Sequence, residues 1–60
     1  MTPQATKLIE ECSEVIHALC KVERFGAFNF NPETGIENQR KVFDEIQDLR
    51  NALEAYLETV

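Results

Sequence analysis

Apolar residues recur along this chain in two long stripes. Ala5, Leu8, Cys12, Val15, Leu19 and Val22 follow one another at spacings of three and four, and Ile9 and Ile16 widen the stripe. Val42, Ile46, Leu49, Leu53, Tyr56 and Val60 repeat the pattern, widened by Phe43 and Leu57. A period between three and four puts each set on one side of an α-helix. Thr2-Pro3 supplies an N-cap followed by proline at the first helical position. Gly26 is a stop for the first helix, and Thr34 with Glu37 has the spacing of a capping box for the second. The pattern predicts one all-α domain over residues 1–60, with helices at about 3–24 and 35–58 and an aromatic loop at about 25–34.

Two helices and one loop make an antiparallel hairpin. A chain of 60 residues buries only about 60% of its unfolded surface and is marginal alone. Both stripes are wider than one neighbouring helix can cover. The hairpin is therefore expected to assemble, as a homodimer or homotetramer, into an oligomeric four-helix-type bundle.

Composition narrows the classes. With 43% hydrophobic and 28% charged residues, two Gly and two Pro, the chain is neither fibrous nor low in complexity. No apolar run approaches the ~20 residues of a membrane span, and none reads as a signal peptide. The net charge of −5 opposes a nucleic-acid polymer as partner, because phosphate neutralisation dominates that affinity. Cys12 and Cys20 lie eight residues apart on one helix. At 1.5 Å rise per residue their Cα atoms stand ~12 Å apart, too far for a disulfide. They read as small apolar fillers in a reducing, cytoplasmic setting. His17 falls opposite the stripe and reads as surface.

The loop holds Phe25, Phe28 and Phe30, both glycines and Pro32. A solvated linker has no use for three aromatics. The plain expectation is that they cap the open end of the bundle; the alternative is a planar pocket for a base or ring.

The acidic residues carry the chemistry. Glu10-Glu11-x-x-Glu14 lies on the first helix and Glu45-x-x-Asp48 on the second. Residues three apart share a helical face, and like charges there repel unless compensated. Hard divalent cations held by oxygen ligands are the usual compensation. In an antiparallel hairpin, the register that aligns the apolar layers also brings Glu11 level with Asp48 and Glu14 level with Glu45. Helical rotation puts all four on one side of the pair. They are expected to form one cluster beside the apolar seam. Lys7 and Lys41 lie on the same side, available to phosphate or to surface ion pairs. The bland alternative is a solvated acidic face.

This arrangement resembles the signature of the MazG-like, all-α nucleoside triphosphate pyrophosphohydrolases. Lys7-Leu8-Ile9, and the stretch from Arg24-Phe25-Gly26 to Asn31-Pro32-Glu33-Thr34-Gly35, are similar to small phage-type members. The resemblance implies hydrolysis of a nucleoside triphosphate or its deoxy form to the monophosphate and pyrophosphate. It implies Mg²⁺, with Mn²⁺ as substitute, held by Glu11, Glu14, Glu45 and Asp48. Glu10 and Glu14 are the candidates to orient the attacking water. Substrate contacts are expected from Lys7, Arg24, Phe28, Phe30, Lys41 and Asn51. Members of the family carry additional helices, which here would come from other subunits, unless the chain is a fragment or a degenerate, inactive member. The competing function is a non-catalytic helical hairpin, structural or regulatory, that dimerises and binds a protein partner.

Overall fold

In the computed structural model, which describes residues 1–60, the chain forms two helices, α1 (Pro3–Phe25) and α2 (Asn38–Leu57). They pack against each other as an antiparallel hairpin measuring 39 × 18 × 15 Å. Neither helix is long and apolar enough to cross a membrane.

The first helix begins and ends as its sequence dictates. Thr2 Oγ1 accepts the Ala5 N–H at 3.1 Å, and Pro3 fills the position where an amide hydrogen has no partner. Gly26 closes the helix with φ +95°, and its N–H donates to Val22 O at 2.8 Å. A side chain at that φ would be strained, so only glycine stops the helix there without cost.

The second helix opens at Asn38, three residues later than the capping-box spacing predicts. Thr34 does not cap it: its Oγ1 accepts the N–H of Ile36 at 3.2 Å and turns the loop instead. The loop makes its own ladder. Asn31 N donates to Ile36 O at 3.0 Å, and Gly35, at φ +71°, returns its N–H to Asn31 O at 2.7 Å. Phe30 and Glu37 pair as an isolated antiparallel bridge, which keeps 35–37 out of the helix. The first amides of α2 then find partners in the loop: Asn38 N–H donates to Asn29 O at 2.8 Å and Gln39 N–H to Ala27 O at 2.9 Å. These bonds satisfy donors that a bare helix start leaves orphaned. Glu37 stands at the N-cap with no side-chain bond. The buried Asn38 donates from Nδ2 to Gly26 O at 3.0 Å and ties the two helix ends together.

The seam does not follow the centre of either stripe. Glu11 and Ala18 are buried on α1, with Leu8, Val15 and Val22 half-buried. Val42, Glu45 and Ala52 are buried on α2, with Leu49 and Tyr56 half-buried. At ~100° per residue these positions centre roughly 40–50° away from the stripe centres, toward the acids. Ala18 and Ala52 let the backbones approach closely. The rest of each stripe is left outside: Ile9, Ile16 and Leu19 on α1, and Phe43, Ile46, Leu53 and Leu57 on α2, are all exposed. Cys12 is exposed as well. Antiparallel helices put equal rotational offsets on the same side, so these residues form one apolar face on the side away from the acids.

The consequence is a thin core. Only six of 60 residues are buried, three of them apolar, and no large side chain is fully enclosed. The accessible surface is 4628 Å², against about 4,000 Å² for a compact monomer of this mass.

The three loop phenylalanines do not cap the hairpin. Phe25, Phe28 and Phe30 are 54%, 81% and 57% exposed.

Candidate functional site

Three carboxylates converge midway along the seam. Glu11, Glu14 and Glu45 each offer an oxygen within 4.8 Å of the others. Oxygens that share one cation stand at most about 4–5 Å apart, so the spacing suits a single ion. Glu11 and Glu45 are 4% and 6% exposed, while Glu14 sits at the open margin. The acids expected beside the seam are therefore partly inside it. The cause is the rotation of the seam, which carries Glu11 and Glu45 between the helices.

Each buried carboxylate is half satisfied. Lys7 Nζ lies 2.9 Å from Glu11 Oε1, and Lys41 Nζ lies 3.0 Å from Glu45 Oε1. The second oxygen of each, Glu11 Oε2 and Glu45 Oε2, is buried with no hydrogen-bond partner. A buried ionised oxygen without a partner is costly, and native structures seldom tolerate one. Two such residues, both members of the one close group of carboxylates, form an oxygen donor set that fits a hard divalent cation.

The titration behaviour follows from this packing. The hydrogen bond to Glu11 raises the Lys7 ammonium above its ordinary value, and the bond to Glu45 does the same for Lys41. Glu45 is held below the usual carboxylate value by the Lys41 hydrogen bond, which outweighs its burial. Glu14 is pushed up, first because only its protonated form can donate a hydrogen bond to Glu45, and then by the negative charges of Glu11 and Glu45. Without a cation, Glu14 favours the fold below its unfolded pKa, and that contribution is lost as pH rises through its raised folded value. Glu45 runs the other way: its contribution is present at neutral pH and lost as pH falls through its lowered value. In chelator, Glu14→Gln should therefore melt higher than wild type at pH 7 and converge with it on acidification. Melting curves from pH 7 to pH 4 check this; parallel curves for the two proteins would disprove the repulsion.

Asp48 lies apart from the three. It faces a neighbouring cavity of about 410 Å³ with Lys7, Glu11, Asn51 and Ala52. The reason is visible once the helices are compared. Lys7-Leu8-Ile9-Glu10-Glu11-Cys12-Ser13-Glu14 and Lys41-Val42-Phe43-Asp44-Glu45-Ile46-Gln47-Asp48 match in type, position by position. Read across antiparallel helices, this repeat relates the two segments by an approximate two-fold axis through the carboxylate group. Asp48 stands to Glu11 as Glu14 stands to Glu45, but its side chain is one methylene shorter. Asp48→Glu should bring a fourth carboxylate in, lowering the melting temperature in chelator and widening the gain on adding Mg²⁺. An unchanged gain would place position 48 outside the site.

The remaining candidates are scattered. Glu10 is exposed and outside the carboxylate group; its carbonyl accepts the Ser13 hydroxyl at 2.7 Å. Asn51 Oδ1 accepts from Gln47 Nε2 at 3.3 Å. Arg24 lies over the Phe25 ring, 5.2 Å from its centroid. Phe28 lines no cavity, whereas Phe30 lines an open cavity of about 530 Å³ at the loop end, together with Lys21, Phe25, Asn29, Asn31 and Asn38. Lys21 also lines the smaller cavity beside Glu14, Lys41 and Glu45. Lys21, Asn29 and Asn38 are not among the residues that the sequence pattern singles out. For Asn29 the signal is the alternation Asn29-Phe30-Asn31-Pro32, since asparagine before and after an aromatic marks a built turn rather than a spacer; Lys21 and Asn38 carry none.

Comparison with protein-family models gives no match, and no curated protein or solved structure matches the chain.

Proposed function

We propose that this chain is a magnesium-dependent nucleoside triphosphate pyrophosphohydrolase of the MazG-like kind, acting as a homodimer or homotetramer. One observation carries the reading. Two buried glutamates on different helices, Glu11 and Glu45, each hold an unpartnered oxygen beside a third carboxylate, Glu14. A surface acidic patch has no such orphaned atoms. The order and spacing of the acids, which resemble that family's signature, supply the reaction class.

The overall reaction is nucleoside triphosphate plus water giving nucleoside monophosphate and pyrophosphate. Glu11, Glu14 and Glu45 would hold the ion, with Asp48 at the next level of the hairpin. When bound, Mg²⁺ supplies positive charge where a triphosphate meets carboxylates and polarises the phosphoryl oxygens. Lys7 and Lys41, anchored on Glu11 and Glu45, put two ammonium groups at the rim for phosphate oxygens. Glu14 is the exposed member of the three, open to water at the margin of the site. That position suits it to accept a proton from the attacking water, and Glu10, one helical turn before it on the same face, is the second candidate for that role. The exposed apolar face, from Ile16 to Phe43, is what a second hairpin would cover.

The test is product release. Purified protein with MgCl₂ is given each common ribo- and deoxyribonucleoside triphosphate, and pyrophosphate is measured separately from orthophosphate. The proposal expects pyrophosphate and monophosphate in equal amounts from at least one nucleotide. Orthophosphate alone, or no turnover of any nucleotide, would move the reading to a non-catalytic hairpin.

A further inference from the structure

We infer that the cavity at the loop end of the hairpin takes the base of a nucleotide, with Lys21 meeting the phosphates between that cavity and the carboxylates. The inference rests on the nucleotide-hydrolase reading above and adds where the ring goes.

Three observations on one stretch of the molecule support it. First, the cavity of about 530 Å³ has two aromatic walls, Phe25 and Phe30, each more than half exposed. Arg24 already covers Phe25 from one direction. A flat heteroaromatic ring stacks on such walls without regard to its substituents.

Second, the polar atoms are sorted. Asn29 uses Oδ1 to accept the Phe30 N–H at 3.0 Å, and Asn31 uses Oδ1 to accept the Glu33 N–H at 2.8 Å. Their Nδ2 groups are left as donors. Asn38, 7% exposed, donates Nδ2 to Gly26 O and is left with Oδ1 as acceptor. The lining thus offers donors and an acceptor on a frame already fastened by its own hydrogen bonds. A nucleobase edge, which alternates donors and acceptors, is the matching ligand chemistry.

Third, Lys21 is the free cation of the site. Lys7 and Lys41 are paired with carboxylates, whereas Lys21 has no acidic oxygen within 4.0 Å. It is half-buried and lines both the loop cavity and the cavity beside Glu14 and Glu45. Seven residues separate Glu14 from Lys21, about 10 Å along the helix. That is the reach from a nucleobase to its phosphate chain. A nucleotide can therefore lie along α1 with its ring at the loop and its phosphates toward the acids.

The experiment is a calorimetric titration of the full chain with each common nucleoside monophosphate in MgCl₂, repeated with Phe30→Ala and Lys21→Met. Inorganic pyrophosphate serves as the ligand without a base. Both residues lie outside the buried seam, and unchanged far-UV helicity confirms that the variants fold. Wild type should bind at least one monophosphate. Phe30→Ala should weaken that binding by ~10-fold or more while leaving pyrophosphate binding alone. Lys21→Met should weaken both ligands, the charge contact being common to them. No monophosphate binding, or equal binding by wild type and Phe30→Ala, overturns the base site. Pyrophosphate release from triphosphates is followed in parallel: release without the Phe30 effect keeps the hydrolase and removes this site, and the Phe30 effect without release keeps the site and removes the hydrolase.

Discussion

Glu45→Gln should lower nucleotide turnover by ~10² or more while the hairpin stays folded. The substitution keeps size and helix propensity and removes one negative charge. It also removes the oxygen pair whose inner member, Oε2, is buried without a partner, and it breaks the 3.0 Å ion pair with Lys41. On a plain surface acid these changes would alter stability by less than about half a kcal/mol and leave nothing else to measure. Glu54→Gln, on the same helix but beyond the carboxylate group, is the control and should be silent. Turnover by Glu45→Gln equal to wild type would show that position 45 holds no catalytic ion.

The second large effect concerns assembly. Ile16→Glu places a charge at the centre of the exposed apolar face, where Ile16 is 63% exposed and contributes nothing to the seam. If the hairpin were complete alone, this change would improve solubility and cost nothing. If a second copy covers that face, the charge is stranded in the interface at ~3 kcal/mol or more, which is ~10²-fold or more in the association constant. Sedimentation at micromolar concentration should then show wild type assembled and Ile16→Glu dissociated, with a melt that depends on concentration. A monomeric wild type with a concentration-independent melt would refute the assembly.

These two predictions use opposite sides of the same helices, and that explains what the sequence could and could not reveal. The helices were legible because Leu8, Val15 and Val22, or Val42, Leu49 and Tyr56, keep a helical period whatever they pack against. The ends of α1 were legible because Thr2, Pro3 and Gly26 act through local geometry. The start of α2 was not, because the pairing of Phe30 with Glu37 is a contact between distant loop positions. The seam was displaced for a related reason. A stripe that includes Ile9 and Ile16 beside Val15 and Val22 is too wide for one neighbour, and its average direction lies between the partner helix and the uncovered face. Only the burial of Ala18 and Ala52 separates the two surfaces.

The acidic site was legible in register but not in depth. Spacing alone put Glu14 level with Glu45 and Glu11 level with Asp48. It could not tell that Glu11 and Glu45 enter the seam, because that depends on the same rotation. Nor could it tell that Asp48 falls short, although the matched segments beginning at Lys7 and Lys41 contain the cause: glutamate at one position, aspartate at its counterpart. The exposure of the loop phenylalanines in the single hairpin was not legible either. Aromatic content argues for burial on average, and here a hairpin of two helices offers them nothing to cover.

Catalysis at this site requires that the three glutamates bind a cation. Isothermal titration of the metal-free protein with MgCl₂, at pH 7 and low ionic strength, measures that directly. Saturable binding is expected, lost in the Glu11→Gln, Glu45→Gln double variant and retained in Glu54→Gln, with a higher melting temperature for the magnesium-bound wild type. Heats indistinguishable from dilution up to millimolar Mg²⁺, and again with Mn²⁺, would contradict it.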